Sequence, residues 1–289
     1  MICNLCPQNC GAERTEAKAG GVCAMPLLPV CARAGLHQWE EPCLVGEHGA
    51  GTVFFSGCNL RCSFCQNGVI SQVGYGRRIG GPRLREIYRE LIARGAACID
   101  LVTPTHFTPV ILESLAEPLP VPVVWNSGGY EKPETLALLE GRVQVFLPDL
   151  KYALPGPAGR YSAAPDYFDW AAPAIAEMFR QTGPYRMEGG LLKSGVLIRH
   201  LLLPGELENT RRVIDWVAET FRPGDVLFSL MSQYTPRPGT EGRLARHVTR
   251  AEYAAATAYL ENCGITDGYL QERTSAREEY TPDFDLSGI

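Results

Sequence analysis

Phe54-Phe55-Ser56-Gly57-Cys58-Asn59-Leu60-Arg61-Cys62-Ser63-Phe64-Cys65 decides how the rest of this chain is read. Two aromatic residues close a short apolar run, a Ser-Gly pair turns the chain, and three cysteines follow with Cys-x3-Cys-x2-Cys spacing. Three thiolates on one short loop can bind three irons of a cubane cluster, whereas a fully ligated cluster takes four cysteines. The fourth iron then keeps an open position at which a substrate or cofactor can chelate. Phe64, just before the last cysteine, can shield such a cluster from water and so affect its potential. The competing reading is a zinc site or unrelated buried thiols, although zinc usually takes paired knuckles with a fourth ligand.

Downstream, short apolar runs alternate with helical periodicity. The runs at 52–55, 99–102, 121–125, 143–147, 196–203, 226–230 and 265–270 are mostly β-branched or aromatic and are bounded by turn residues, as buried strands are. Helical stretches lie at 82–94, from 108 onward, and at 134–140, 166–181, 209–221 and 251–262. In the first, Leu84, Ile87, Tyr88, Leu91 and Ile92 share one face and Gly95 supplies the stop. Strand then helix, six times with a seventh strand, implies parallel pairing and right-handed crossovers. The expected architecture over 51–289 is α/β, a partial (β/α)6 TIM-type barrel, because a closed one needs about eight pairs. A doubly wound open sheet competes with it. Residues 71–81 and 152–164 read as loops, and Pro173 as a break in its helix.

Upstream, residues 1–50 are rich in Cys, Gly and Pro and read as a small, separate metal-binding module, since so poor a core benefits from a metal staple. Of eleven cysteines, nine fall within the first 65 residues. Cys3-x2-Cys6-x3-Cys10-x12-Cys23 offers four thiolates, suited to a structural zinc or to an iron–sulfur cluster. Cys31 and Cys43 are alternates or buried thiols.

Composition narrows the function. The chain has 289 residues, 45% hydrophobic and 20% charged, enough for a full core and against disorder as its main state. A net charge of −5 gives no basic face for nucleic acid, and no run of about 18 apolar residues is present to span a membrane. The opening Met1–Cys6 lacks the basic and apolar regions of a signal peptide. Close cysteine spacing in a long chain without a secretion signal reads as metal ligation in a reducing compartment, so a cytoplasmic location is expected.

The cysteine loop after strand one resembles the radical S-adenosylmethionine superfamily. The wider pattern is similar to the activating enzymes of glycyl radical enzymes: Ser56-Gly57-Cys58 through Cys65-Gln66-Asn67-Gly68, Asp149-Leu150-Lys151, and Ile198-Arg199-His200 with Pro204-Gly205. Cys3 through Gly11, His37 through Pro42, and Thr103-Pro104-Thr105-His106 look closer to the branch labelled pyruvate formate-lyase activating enzyme-like. The resemblance implies that Cys58, Cys62 and Cys65 hold a [4Fe–4S] cluster whose open iron chelates S-adenosylmethionine. One-electron reduction, from a donor such as flavodoxin or ferredoxin, would then yield a 5′-deoxyadenosyl radical that removes hydrogen from a substrate, an oxidoreductase chemistry. A protein glycine is the first expected substrate, with another peptide or a small molecule as the alternative. Characterised members carry a Gly-Gly-Glu segment after strand two; here Thr105 is the expected replacement.

Polar residues at the expected strand ends fit that chemistry, because function collects there in parallel strand–helix folds. Lys151 and Arg199 are the expected catalytic and cofactor-binding cations. The methionine carboxylate is a candidate partner for the Arg199 guanidinium, and Asn126 and Ser127 are candidates for the ribose. Ser232-Gln233-Tyr234 follow the sixth strand, and His106 is either a substrate contact or a packed histidine. A different class, a non-catalytic metal-binding module that recruits a partner, would need neither the cysteine loop on a barrel nor polar groups at so many strand ends.

Overall fold

The computed structural model describes residues 1–237, 239–271 and 282–289. In chain order the strands are β1 (Ile2–Cys3), β2 (Ala12–Glu13), β3 (Val30–His37), β4 (Ala50–Phe55), β5 (Arg77–Arg78), β6 (Ile99–Val102), β7 (Val123–Ser127), β8 (Val145–Pro148), β9 (Arg186–Glu188), β10 (Leu191–Leu201), β11 (Leu227–Met231) and β12 (Gly268–Leu270). The helices are α1 (Pro42–Val45), α2 (Gly68–Ser71), α3 (Gly81–Ala93), α4 (Thr108–Ser114), α5 (Pro133–Ala137), α6 (Pro155–Ser162), α7 (Tyr167–Thr182), α8 (Leu207–Thr220) and α9 (Arg250–Asn262).

One mixed sheet carries the fold, in the order β12-β11-β10-β8-β7-β6-β4-β3-β5, with β9 antiparallel beside β10. The seven strands from β4 to β12 on this path are parallel and follow chain order without reversal. A doubly wound sheet needs a reversal of strand order, so that alternative is set aside. β12 and β5 end the path, so the barrel is open. Each of the seven apolar runs becomes one parallel strand. Residues of β4, β6, β7, β8 and β11 are buried throughout, as strands covered on both faces must be.

Four local expectations change. β3 pairs antiparallel with β4, from Cys31↔Phe55 to His37↔Ala50, so residues 30–37 belong to the main sheet and a boundary at residue 50 falls within paired structure. The small two-stranded sheet β1–β2 lies further upstream. The stretch 152–164 contains α6, whose Pro155 and Pro157 sit in the first turn, where backbone N–H groups have no intrahelical partner. Within 71–81, Arg77–Arg78 pair with Val30–Cys31. Helix α7 runs unbroken through Pro173, which is exposed, so the carbonyl freed by the missing N–H can be hydrated.

The two-residue period of a strand sorts the side chains. Outward residues such as Val53, Leu101, Trp125 and Ile198 join the large core beneath the helices. Inward residues Val124, Val145, Leu147, Leu197 and Leu227 form a second core with Cys43 and Leu44 of α1, which plugs one end of the open barrel. Two residues after several of these inward positions the chain turns polar on the same face: Asn126, Asp149, Arg199 and Ser229. Register aligns them, with Arg199 opposite Ser229 and bridged to Asp149. The polar row therefore lies above an apolar plug, toward the C-terminal strand ends.

Candidate active site

Above that row a cavity of about 610 Å³ opens. Cys58, Cys62, Cys65 and Phe64 line it, with Asn126, Ser127, Asp149, Lys151 and Arg199. The structure thus brings the three loop cysteines and most of the sequence-selected polar residues to one place.

The loop is held there by its turn. Gly57 has φ +81, and a Cβ on it would lie 2.3 Å from Met25 Cγ and 2.9 Å from the Cys23 carbonyl oxygen. Asn59 is buried and its Nδ2 donates to the Tyr130 carbonyl at 2.5 Å. Every loop sulfur has a polar neighbour. Leu60 N–H donates to Cys58 Sγ at 3.4 Å, Ser162 Oγ donates to Cys62 Sγ at 3.0 Å, and Ser71 Oγ lies 3.2 Å from Cys65 Sγ. All eleven cysteines are free thiols. Burial, reinforced by the neighbouring Cys62 and Cys65, pushes the Cys58 thiol up, and burial also raises Cys62 although Lys151 opposes it. The donor set fits an iron–sulfur cluster: three thiols face one cavity, with hydrogen-bonding groups at the sulfurs of the kind that set a cluster's potential. Phe64 is buried edge-on to Tyr161 and Tyr234, at ring separations of 6.5 and 6.3 Å, so it covers the loop.

Arg199 is engaged by the protein itself. Its Nε donates to Asp149 Oδ1 at 3.1 Å, its Nη2 to Asn126 Oδ1 at 2.6 Å, and its Nη1 lies 3.5 Å from Glu40 Oε2. Burial works against the Arg199 charge, but Asp149, Glu40, Glu41 and Asp100 outweigh it and hold the guanidinium firmly protonated. Lys151 pairs with Asp149 Oδ2. Burial opposes this pair too, yet Lys151 together with Arg199 keeps the Asp149 carboxyl below its ordinary range, and Asp149 keeps Lys151 above its own. Asn126 is spent twice, since its Nδ2 donates to Asp100 at 3.3 Å.

Thr105 lies elsewhere. Its hydroxyl is buried and donates to Glu131 Oε1 at 2.7 Å, alongside the Trp125 indole at 2.9 Å, while Ser127 Oγ donates to Glu131 Oε2 at 2.6 Å. Glu131 thus collects three donors beneath the rim, and the Ser127 hydroxyl is occupied as well. Thr103, two residues before Thr105, lines the cavity instead and holds φ +60. For a β-branched residue that conformation is costly and marks a constrained position. His106 is packed, with Nε2 2.7 Å from the Ser56 carbonyl oxygen, and burial lowers its pKa to about 3. His200 bridges the Leu150 carbonyl and Thr210 Oγ1, a structural role.

Sequence reasoning used His37 through Pro42 only for the resemblance and did not place it at the site, yet His37 to Glu41, from the end of β3 onward, all line the cavity. Glu41 is buried and its pKa is pushed up to about 7 by that burial, partly offset by Arg199. The signal available was Glu40-Glu41 directly after Trp39, acidic residues where the chain leaves an apolar strand. Cys3, Cys6, Cys10 and Cys23 do not line the cavity.

No protein-family model matches the chain. It is 30% identical over 246 residues to an uncharacterized protein of Methanocaldococcus jannaschii, covering 81% of this chain and 66% of that one. Among solved structures it is similar to SuiB of Streptococcus suis bound to S-adenosylmethionine, with TM-score 0.52 and 14% identity over 79% of this chain and 52% of that one. SuiB bound to the precursor peptide SuiA gives TM-score 0.53 and 14% identity, over 75% and 47%. The FeFe-hydrogenase maturase HydG of Carboxydothermus hydrogenoformans gives 0.52 and 13%, over 78% and 54%. The chain therefore has the α/β fold of these three solved structures and spans about half the length of each, and about two thirds of the Methanocaldococcus jannaschii protein.

Proposed function

We propose that this chain is a radical S-adenosylmethionine enzyme. The observation that carries the reading is that Cys58, Cys62 and Cys65 face one cavity at the C-terminal strand ends together with Lys151, Asp149 and Arg199. Its fold is that of a protein crystallised with S-adenosylmethionine. Cys58, Cys62 and Cys65 would hold a [4Fe–4S] cluster, and that cluster with bound S-adenosylmethionine would supply one-electron reductive cleavage of the sulfonium and hence hydrogen-abstracting chemistry.

The chain's own residues do the rest. Lys151, part-buried beside Asp149, presents a cation to the cavity for the methionine carboxylate. Arg199 acts one step behind: it fixes Asn126 and Asp149, and through Asp149 it holds Lys151. Thr103, which lines the cavity with a constrained backbone, would offer its hydroxyl to the methionine amino group. Phe64, with Tyr161 and Tyr234, keeps water from the cysteine loop. Ser162 donates to Cys62 and Ser71 lies beside Cys65, where each would tune the sulfur it touches.

The substrate we propose is a peptide segment, with a protein glycine as the preferred hydrogen donor, as in glycyl radical enzyme activation. The barrel is open, and Gly128 lines the cavity, where main chain can approach closely. The likeness to a structure containing a precursor peptide favours a second reading, modification of another peptide position. A flavodoxin or ferredoxin is the proposed one-electron donor. The test is electron paramagnetic resonance of the anaerobically reduced enzyme mixed with candidate glycyl radical enzymes. A carbon-centred doublet that depends on S-adenosylmethionine supports the glycine reading. Cofactor cleavage driven by a peptide, with no protein radical in any candidate, moves the substrate to the second reading.

A further inference from the structure

Cys3 and Cys23 lie beside a buried cation, and Cys6 and Cys10 lie near those two thiols. Arg14, just beyond β2, has no exposed surface. Its Nε donates to the Met25 carbonyl at 3.0 Å, its Nη2 to the Pro26 carbonyl at 2.5 Å, and its Nη1 to Cys3 Sγ at 3.3 Å. Among the described residues no carboxylate pairs with it. A buried guanidinium without a counter-charge is strongly unfavourable, and neutral thiols do not supply one. The thiols lie close by. Cys23 Sγ faces the Gly20 carbonyl at 3.8 Å, a Cβ on Gly21 would meet Cys10 Sγ at 2.8 Å, and Gly20 bridges to Met25, whose carbonyl Arg14 holds. Cys6 is within electrostatic reach of the other three. Among the described residues no three such groups converge on a point that one ion could ligate. The same holds of the three thiols at Cys58–Cys65.

The group also abuts the cavity loop. Gln8, between Cys6 and Cys10, donates its Nε2 to the Asn59 carbonyl at 2.8 Å. Arg61 Nη1 reaches the Val22 carbonyl at 3.5 Å, and the Cys23 carbonyl lies against Gly57. Cys10 is exposed at the surface.

We infer that Cys3, Cys6, Cys10 and Cys23 hold a fully ligated [4Fe–4S] cluster with Arg14 as its buried counter-cation, and that this cluster is where the electron used at the Cys58–Cys65 loop enters the protein. One electron passes from a low-potential flavin or iron–sulfur donor protein to this cluster and on to the loop; no bond is made or broken and no proton moves. Only the electron's destination rests on the function proposed above.

The experiment uses the full chain, reconstituted anaerobically with iron and sulfide. The triple variant Cys58→Ala/Cys62→Ala/Cys65→Ala should retain about four iron and four sulfide ions per chain, and the wild type about eight of each. Zinc in place of iron, or no metal, in the triple variant overturns the inference. About four irons in both proteins would instead retain the N-terminal cluster and sink the reading of the cavity loop. Arg14→Gln should shift the midpoint potential of the remaining cluster to more negative values, because the buried cation favours its reduced form, and Arg14→Lys, which keeps the cation, should stay near the value with Arg14. An unchanged potential in Arg14→Gln removes the counter-cation role. In Cys6→Ala/Cys10→Ala, reduction of the remaining cluster by a flavodoxin should slow by at least about tenfold while dithionite still reduces it; equal rates with the flavodoxin overturn the electron-entry role.

Discussion

Arg199 shows how one residue organises the site. It joins Asp149, Asn126 and Glu40 on the inner face of the barrel and is half-buried among them, with its side chain 16% exposed to the cavity. Truncating one partner of a buried charge network leaves the others uncompensated, at a cost of about 3–5 kcal/mol. Arg199→Ala should lose roughly that much stability in urea unfolding, before any effect on cofactor binding; a loss below about 1 kcal/mol would show the guanidinium to be dispensable to the fold. The sequence identified Arg199 as a buried cation in need of an anion, but its partners come from three other segments and only the register unites them. Glu41 carries a pH dependence. Its folded pKa of about 7 stands above an ordinary 4.5, chiefly through burial, so the folded state holds a proton that the unfolded state has released. Its stabilising contribution is therefore complete below about pH 4.5 and is lost as pH rises to about 7, by up to roughly 3 kcal/mol. Glu41→Gln should remove this component, so the variant should gain on the wild type by about that amount between pH 4 and 8. Parallel stability curves for the two proteins would contradict it.

At the scale of elements, the Cys58–Cys65 loop depends on a glycine that only structure explains. Gly57 is left-handed and lies against Met25 and Cys23 from the N-terminal region, contacts remote in sequence. Gly57→Ala should destabilise by about 1–2 kcal/mol from the backbone conformation alone and lower iron uptake at the loop. Wild-type stability together with full iron content would show that the turn is not constrained. Strands and long helices were legible because periodicity and burial agree: each apolar run of 52–55 through 265–270 became a parallel strand. The misread elements are those whose determinants are not periodic. α6 starts on two prolines that read as loop, and Thr103 rather than Thr105 faces the cavity because a positive φ turns the chain there. Helix α9 begins with a capping box between Thr249 and Glu252, and Thr249→Ala should cost about 1 kcal/mol.

At the scale of the whole molecule, an open run of seven parallel strands gathers residues from across the chain at one rim, while an apolar plug closes the opposite end. The sequence showed the rim, because polar residues follow so many apolar runs. It did not show that residues 30–37 extend the sheet, since an antiparallel strand such as β3 is specified by its pairing with β4 and β5 rather than by a repeat. Among the described residues no helix is long and apolar enough to cross a membrane. The central claim is that three cysteines at this rim make the chain a radical S-adenosylmethionine enzyme. The measurement that tests it most directly is 5′-deoxyadenosine formed on anaerobic incubation of the reconstituted protein with reductant and S-adenosylmethionine. The wild type should produce it, and Cys58→Ala, Cys62→Ala and Cys65→Ala should each abolish it, because every one removes an iron ligand. Wild-type yield from any of the three variants, or no 5′-deoxyadenosine from a wild-type protein that carries its iron, would contradict the account.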